Sequence, residues 1–368
     1  MRILTVTYLK INSDPRARKF AETLSENHEV HVLDLDESEN TKGYTVWGVK
    51  SKSNPIISLF SFWLKIFVVA FKIKPDVIVA HNYYNVFPVY VVSALLGKKR
   101  VYDSYEFYVP SRSQKLTKRS HFFYLLEKVS VRRYKTIFSA NIERSRLMKA
   151  KFGLKDLPIP ILNISNPIFI KDSSLISLKE KYPNLGSFID EGIVIVYQGY
   201  MSIERNIADY LKILSFLPQP FKLLYVGGGP DLDKIRAEIE NEKMKDRALA
   251  MGKIAMDDII PLVKNCSYGI VTYPFHNYNN RYCSPNKIFE YSQAHIPFIS
   301  SSQSTIRRIM HGVDYVCYID VKDAELSANA IVEFNKGYLK NDSIFDGFNN
   351  KYNWSNEKKK ITNAFAVI

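Results

Sequence analysis

Short apolar runs alternate with longer amphipathic stretches along the chain, and this alternation occurs in two successive series. The first series predicts strands at residues 3–7, 30–33, 77–80, 100–102 and 136–139. Helices are expected between them, the first starting at Asp14-Pro15, where Asp can cap and Pro fits the opening turn. Further helices are predicted over 56–73, 88–96, 118–133 and 143–152. The second series predicts strands at 193–197, 221–226, 249–251, 268–272 and 297–300, with helices at 206–216, 231–245, 257–264 and from Pro285 onward. Asn166-Pro167-Ile168-Phe169 reads as a linker between the series. Strands that are apolar throughout, rather than alternating, belong to parallel sheets covered by helices on both faces. The pattern therefore predicts an α/β protein of two doubly wound, Rossmann-like domains facing across a cleft, with ligands at the carboxyl ends of the strands.

The 368 residues suit two domains, and the 46% apolar and 24% charged content is that of a soluble globular chain. The expected division is 1–168 for the first domain and 169–350 for the second, with a C-terminal helix at about 353–368 packing back on the first. The amino terminus reads directly as a strand rather than as a secretory segment. Cys266, Cys283 and Cys317 show no metal-ligand spacing and are expected to be thiols in a reducing cytosol.

The most membrane-like stretch, residues 56–73, is interrupted by Lys65, whereas a span needs roughly 20 predominantly apolar residues. Its Phe60, Phe62, Trp63, Phe67 and Phe71 suit either a core or a bilayer surface, and core packing is the expectation. Charge sharpens the picture. Residues 1–172 hold 28 Lys/Arg against 15 Asp/Glu, and residues 173–368 hold 23 against 22. Residues 98–155 alone hold 16 basic and 4 acidic side chains, in clusters that include Lys98-Lys99-Arg100, Arg112 to Arg119 and Arg132-Arg133-Lys135. Such an excess on one domain implies an anionic partner: a membrane surface, a polyanionic substrate or nucleic acid.

Several chemistries are excluded. The turn after the first strand, residues 8–13, contains no glycine, which argues against a dinucleotide oxidoreductase, and no P-loop sequence occurs. The pairs Asp34/Asp36 and Asp231/Asp233 are better explained by a strand end and a helix start than by metal binding. The strongest local signal is Tyr282-Cys283-Ser284-Pro285-Asn286-Lys287-Ile288-Phe289-Glu290-Tyr291. Here Ser284 is expected to cap a helix whose first amides, together with Lys287, form an anion site. Glu290, one turn on, can accept from sugar hydroxyls. A second cationic site is Gln198-Gly199-Tyr200-Met201-Ser202-Ile203-Glu204-Arg205-Asn206, where the Arg205 fork at a helix start suits a diphosphate. The run Gly227-Gly228-Gly229 leaves room for a ligand near the backbone.

These motifs and their order resemble the GT-B glycosyltransferases of the large retaining group called family 4, most closely over residues 193–335. The elements "YQG…ERN", "VGGGP", "MGKI" and "SPNKIFEY…IPFIS" carry the resemblance. It implies a nucleotide-sugar donor held by the second domain and an acceptor held by the first. Arg205 and Lys287 would then bind the donor diphosphate and Glu290 the ribose. Gly252-Lys253-Ile254 would meet the base, with Gly199, Asn206, Gly228, Tyr282, Ser284 and Asn286 completing the donor site. In the first domain His81, Asp103 and Glu106 would be catalytic, and Arg16, Asn82 and Tyr105 would meet the acceptor. No metal or other cofactor is implied, because fixed cations replace it. Two positions depart from the family: Tyr282 stands where a first glutamate is usual, and His295 replaces a glycine before the Ile-Pro strand.

The leading expectation is a retaining, metal-independent glycosyltransferase of the hexosyl type. It would build a surface polysaccharide (capsule, O-antigen or exopolysaccharide) on a lipid-linked acceptor, peripheral on the inner face of the cytoplasmic membrane. A non-hydrolysing sugar-nucleotide epimerase would use the same scaffold. A catalytically weak binding subunit is a further alternative, given Tyr282. A nucleic-acid-binding protein fits less well, because the positive charge is confined to the first domain and no recognition motif appears.

Overall fold

The computed structural model describes residues 1–35, 43–110, 116–165, 175–186, 188–242 and 244–368. The linker at residues 166–169, Asp36 and Arg112 lie outside the described residues. The chain forms two compact units. The first comprises Met1–Asn163, Asn277–Tyr282 and Trp354–Ile368; the second comprises Ile164–His276 and Cys283–Asn353.

In the first unit, seven parallel strands run in the order β3-β2-β1-β4-β5-β6-β7. They are β1 (Arg2–Val6), β2 (Glu29–Leu35), β3 (Tyr44–Val49), β4 (Val77–His81), β5 (Lys99–Ser104), β6 (Thr136–Ser139) and β7 (Ile159–Pro160). The strand order reverses beside β1, which pairs β2 on one side and β4 on the other. Such a reversal opens a crevice at the carboxyl ends of the strands. Ile3, Val77, Val79 and Val101 pack under the helices Pro15–Ser25 and Trp354–Ala366. Leu4, Val6, Ile78 and Ala80 face the opposite layer, which holds the helices Pro55–Ile73 and Tyr83–Leu95.

The helix at Pro15 forms as expected: Asp14 accepts from the Ala17 amide and Pro15 takes the first turn. The helix over Tyr83–Leu95 begins five residues before the expected start, capped by Asn82 and carrying Pro88 inside. Pro88 cannot donate to the Tyr84 carbonyl one turn back, and that carbonyl accepts from Trp63 Nε1 at 3.2 Å instead. Pro55–Ile73 is long and apolar enough to cross a membrane by length and composition. One of its faces is in the core, through Phe62, Ile66, Val69 and Ala70, as expected; its other face is exposed.

In the second unit, six parallel strands run in the order β10-β9-β8-β11-β12-β13. They are β8 (Ile193–Gln198), β9 (Phe221–Val226), β10 (Ala248–Gly252), β11 (Tyr268–Val271), β12 (Phe298–Ser301) and β13 (Val316–Ile319). The order reverses beside β8. Helices Ile207–Phe216 and Ala324–Gly337 cover one face of this sheet through Tyr210, Leu214, Ala328 and Ile331.

Candidate functional site

The second unit gathers the expected donor residues at the carboxyl ends of β8, β9 and β10. Three loops meet there with almost no space between their backbones. Gly199 donates its amide to the Val226 carbonyl at 2.8 Å, Gly227 to the Gly252 carbonyl at 2.8 Å, and Met201 to the Gly228 carbonyl at 3.1 Å. A Cβ on Gly227, at φ +140°, would lie 1.8 Å from the Gly199 carbonyl oxygen, so only glycine fits. Next to this nest, the Lys287 ammonium stands over Gly199, where a Cβ would come within 3.2 Å of Nζ.

Arg205 closes a short turn, Ile203–Arg205, that begins the loop before the helix Ile207–Phe216. Its guanidinium stacks 5.3 Å from the Tyr273 ring centroid and donates to the Tyr273 hydroxyl at 3.3 Å. Asp231 accepts from the Ile203 amide at 3.0 Å and from Lys234 at 2.7 Å, so this carboxylate pins the loop that carries Arg205. Those contacts hold the Asp231 carboxyl below the usual range, through Lys234 first and the Ile203 amide second.

The helix Asn286–Gln293 points its amino end into the same region. Its cap position is Pro285, with no side-chain cap bond, and not Ser284 as the sequence suggested. Ser284 and Asn286 are half-buried beside it. Glu290 accepts from Gln198 Nε2 at 2.7 Å and from Ser165 Oγ at 3.3 Å. Gln198 was not anticipated, although it ends β8 immediately before Gly199; its Oε1 is buried with no hydrogen-bond partner among the described residues.

Lys253 is exposed and runs over Gly228, and Ile254 beside it is half-buried. Asn206 is 4% exposed, sits at φ +63° and donates to Thr272 Oγ1 at 3.4 Å, so it shapes the loop from inside. His295 adopts φ +56°, the left-handed conformation that glycine takes freely, and is held there by Asp342 at 2.9 Å and Asp346 at 3.2 Å.

In the first unit, the ends of β4 and β5 carry a buried charged network. Asp103 receives Arg16 Nη2 at 2.6 Å and Nε at 2.9 Å, and Arg16 Nη1 donates to the Ile161 carbonyl at 2.7 Å. Burial disfavours the Asp103 charge, but Arg16 and the His81 hydrogen bond outweigh it and hold the carboxyl at about 2. Arg16 is 2% exposed and Asp103 is fully buried. Asp103, expected to be catalytic, and Arg16, expected to meet the acceptor, therefore lie buried against each other. Burying a charge is tolerated only when it is paired and hydrogen-bonded, and these two satisfy each other.

His81 joins this network. Its ring is fully buried, with Nδ1 3.1 Å from Asp103 Oδ2 and Phe20 edge-on at 5.3 Å. A carboxylate partner makes Nδ1 the donor. The ring's Nε2 has no hydrogen-bond partner among the described residues.

The accessible chemistry lies one residue further on. Asn82 caps the next helix through Oδ1, which accepts from the Tyr83 amide at 2.7 Å, and its Nδ2 donates to Glu106 Oε2 at 3.0 Å. Glu106 is half-buried, so one carboxylate is oriented by an amide while remaining partly open. Tyr105 donates its hydroxyl to Asp14 Oδ2 at 2.7 Å. Burial, with Asp14 adding, pushes that hydroxyl well above the usual phenol range, so it stays a donor.

Arg144 is a residue the sequence did not single out. Its guanidinium donates to the carbonyls of Tyr105 at 2.6 Å, Asn279 at 2.6 Å and Tyr282 at 3.1 Å. Asn141 adds a second bond to the Tyr282 carbonyl at 2.9 Å. These contacts tie Asn277–Tyr282 to the first unit. A basic residue three places after the helix cap Asn141 was the available signal. Among the described residues, no group of three or more His, Cys, Asp or Glu side chains could hold a metal ion.

Residues 192–336 match the family described as Glycosyl transferases group 1. No curated protein matches the chain by sequence. Among solved structures, Anabaena HepE in complex with UDP-glucose is similar over 100% of both chains, with a TM-score of 0.76 at 14% identity. Sucrose-phosphate synthase from Thermosynechococcus elongatus is similar over 100% of this chain and 98% of that one, with a TM-score of 0.77 at 14% identity. The lipopolysaccharide outer core galactosyltransferase WaaB, in its apo form, covers 100% of both chains with a TM-score of 0.68 at 13% identity. At such identities the likeness establishes the fold, which is GT-B. Residues 192–336 thus match glycosyl transferases group 1, and the whole chain is similar in fold to GT-B glycosyltransferases.

Proposed function

We propose that this chain is a glycosyltransferase that moves a hexose-type unit from a nucleoside-diphosphate sugar to a lipid-linked glycan acceptor in surface polysaccharide biosynthesis, with retention of configuration. The observation that carries the donor half is Lys287 standing over Gly199 at a nest of glycine backbone. A compact ammonium, the open amides of the helix at Asn286 and the Arg205 fork together suit a diphosphate. HepE has been solved with UDP and with UDP-glucose, which makes a uridine diphosphate sugar the first donor to try.

The reaction follows from those fixed cations. As the bond from the anomeric carbon to the diphosphate breaks, charge develops on the leaving oxygens, and Lys287 and Arg205 stabilise it without reorganising. The acceptor hydroxyl attacks from the face the diphosphate leaves, and the leaving phosphate takes the hydroxyl proton. Glu106, held by Asn82, orients that hydroxyl. His81, Asp103 and Arg16 act beneath the surface, fixing the strand ends that present Asn82 and Glu106. Glu290 serves the ribose once Gln198 and Ser165 share it.

The reading needs no resident cofactor or metal, because fixed cations neutralise the leaving group. The acceptor half rests on charge. The excess of cations in residues 1–172 suits an enzyme peripheral on the cytoplasmic face of an anionic membrane, where lipid-linked glycans are found. Incubating the purified enzyme with UDP-sugars and a lipid-linked oligosaccharide, and following release of UDP with extension of the acceptor, tests the whole proposal.

A further inference from the structure

Among the described residues, the outer face of the helix Pro55–Ile73 has no partner. Ile56, Ile57, Phe60, Leu64, Val68 and Phe71 recur at helical spacing along it and are between 51% and 68% exposed. Its inner face packs on the sheet, so the helix lies flat on the first unit and presents this stripe outward. Beyond the helix Tyr83–Leu95, the helix Lys118–Ser130 lies in the same layer. It exposes Phe122, Leu125 and Val129, again on one side. The two helices share an aromatic cluster, with Leu59 and Trp63 from one and Phe123 from the other packed around Tyr83 and Tyr84.

The exposed charges that these two helices themselves carry have one sign. Pro55–Ile73 contains no acidic residue, and Lys65 and Lys72 flank its stripe. In Lys118–Ser130 the acidic residue is Glu127, which is 1% exposed and bonded to the Tyr102 hydroxyl at 2.6 Å, whereas Lys118, Arg119 and Lys128 are exposed.

We infer that these two apolar stripes insert side by side into the headgroup boundary of an anionic bilayer. An apolar face edged only by cations is the pattern of a helix lying in a membrane interface. A second copy of this chain would bring its own cations against the same face, so the charge argues for lipid rather than self-association. The inference deepens the membrane-bound reading above and rests on it. It adds that the attachment is partly hydrophobic and names the residues that enter the lipid.

The experiment uses the full chain with vesicles of phosphatidylcholine containing phosphatidylglycerol. Leu64→Cys, labelled with an environment-sensitive fluorophore, should brighten and shift to the blue on vesicle binding, and a label at Leu326→Cys in the second unit should not. Flotation should show that part of the wild-type binding survives 1 M salt, where surface attraction is screened. The variant Phe60→Ser/Leu64→Ser should lose that residual binding at least tenfold while its affinity for UDP is unchanged, which also shows that it is folded.

Binding that vanishes in salt with a silent Leu64 probe would overturn insertion and leave electrostatic docking standing. Absence of binding to anionic vesicles at low salt would overturn both. A dimer in solution that Phe60→Ser/Leu64→Ser converts to monomer would reassign the face to a second copy.

Discussion

Lys287 and Gly199, 88 positions apart in sequence, come so close that a Cβ on residue 199 would lie 3.2 Å from the ammonium. Gly199 has φ +145°, which non-glycine residues rarely adopt, so its bareness serves both the backbone and the cation. Gly199→Ala is expected to weaken nucleoside diphosphate binding about tenfold or more, by displacing Lys287. Gly312→Ala is the control, since φ there is +79° but nothing lies within 4 Å. It should share the backbone strain, about 1–3 kcal/mol, and bind nucleotide normally. Calorimetric titration of both variants checks this.

Asp103→Asn should be strongly destabilising, because it leaves the Arg16 charge buried without its partner. Breaking such a pair costs about 3–5 kcal/mol, readable as a loss of denaturant midpoint. The pH dependence has a definite sign. Asp103 is held at about 2 against an ordinary 3.8, so its contribution is present above pH 3.8 and is lost as pH falls through 2. Wild type should therefore lose stability steeply over that window, and Asp103→Asn should do so less.

Glu127 titrates the other way. Burial pushes its carboxyl up to about 8 from 4.5, against the opposing Tyr102 hydrogen bond. The folded protein thus holds a proton that the unfolded chain releases, and stability from this group is full below pH 4.5 and declines as pH rises through 8. Glu127→Gln keeps an acceptor for the Tyr102 hydroxyl and should flatten that decline. Melting temperatures from pH 5 to pH 9 for both proteins decide it.

Retention of the anomeric configuration is expected, because the half-buried Glu106 already accepts from Asn82 and the base proposed is the leaving phosphate itself. Proton NMR of the first-formed product reads the anomer directly; an inverted product would promote Glu106 to general base. EDTA should leave the rate essentially unchanged, and a loss restored by Mg²⁺ would contradict the role given to Arg205 and Lys287.

Much of the fold was legible because parallel strands are written as continuous apolar runs, as in Ile193–Gln198 and Val77–His81. Tyr44–Val49 escaped notice: it is an edge strand, half-exposed and interrupted by Gly48, so it lacks the buried run that marks its neighbours. His295 shows a departure that the structure explains, since two aspartates hold it in a glycine-like conformation.

The first unit's site was less readable for a physical reason. Arg16 and Asp103 are 87 positions apart, and nothing local says that they neutralise each other, so each looked available for chemistry. Arg144 was hidden similarly: its three partners are backbone carbonyls, which carry no residue signature. The Lys287–Glu290 spacing was visible, but the sharing of Glu290 between Gln198 and Ser165 required the fold.

The central claim is that Lys287 and Arg205 hold the diphosphate of a nucleotide-sugar donor, and calorimetric titration with UDP tests it most directly. Each contact is charge-assisted, for which about 1.5–3 kcal/mol is at stake. Lys287→Ala and Arg205→Ala should each therefore weaken UDP binding about ten- to hundredfold, while uridine alone binds all three proteins equally. If both variants bind UDP as tightly as wild type, the diphosphate lies elsewhere and the donor site proposed at the ends of β8, β9 and β10 is wrong.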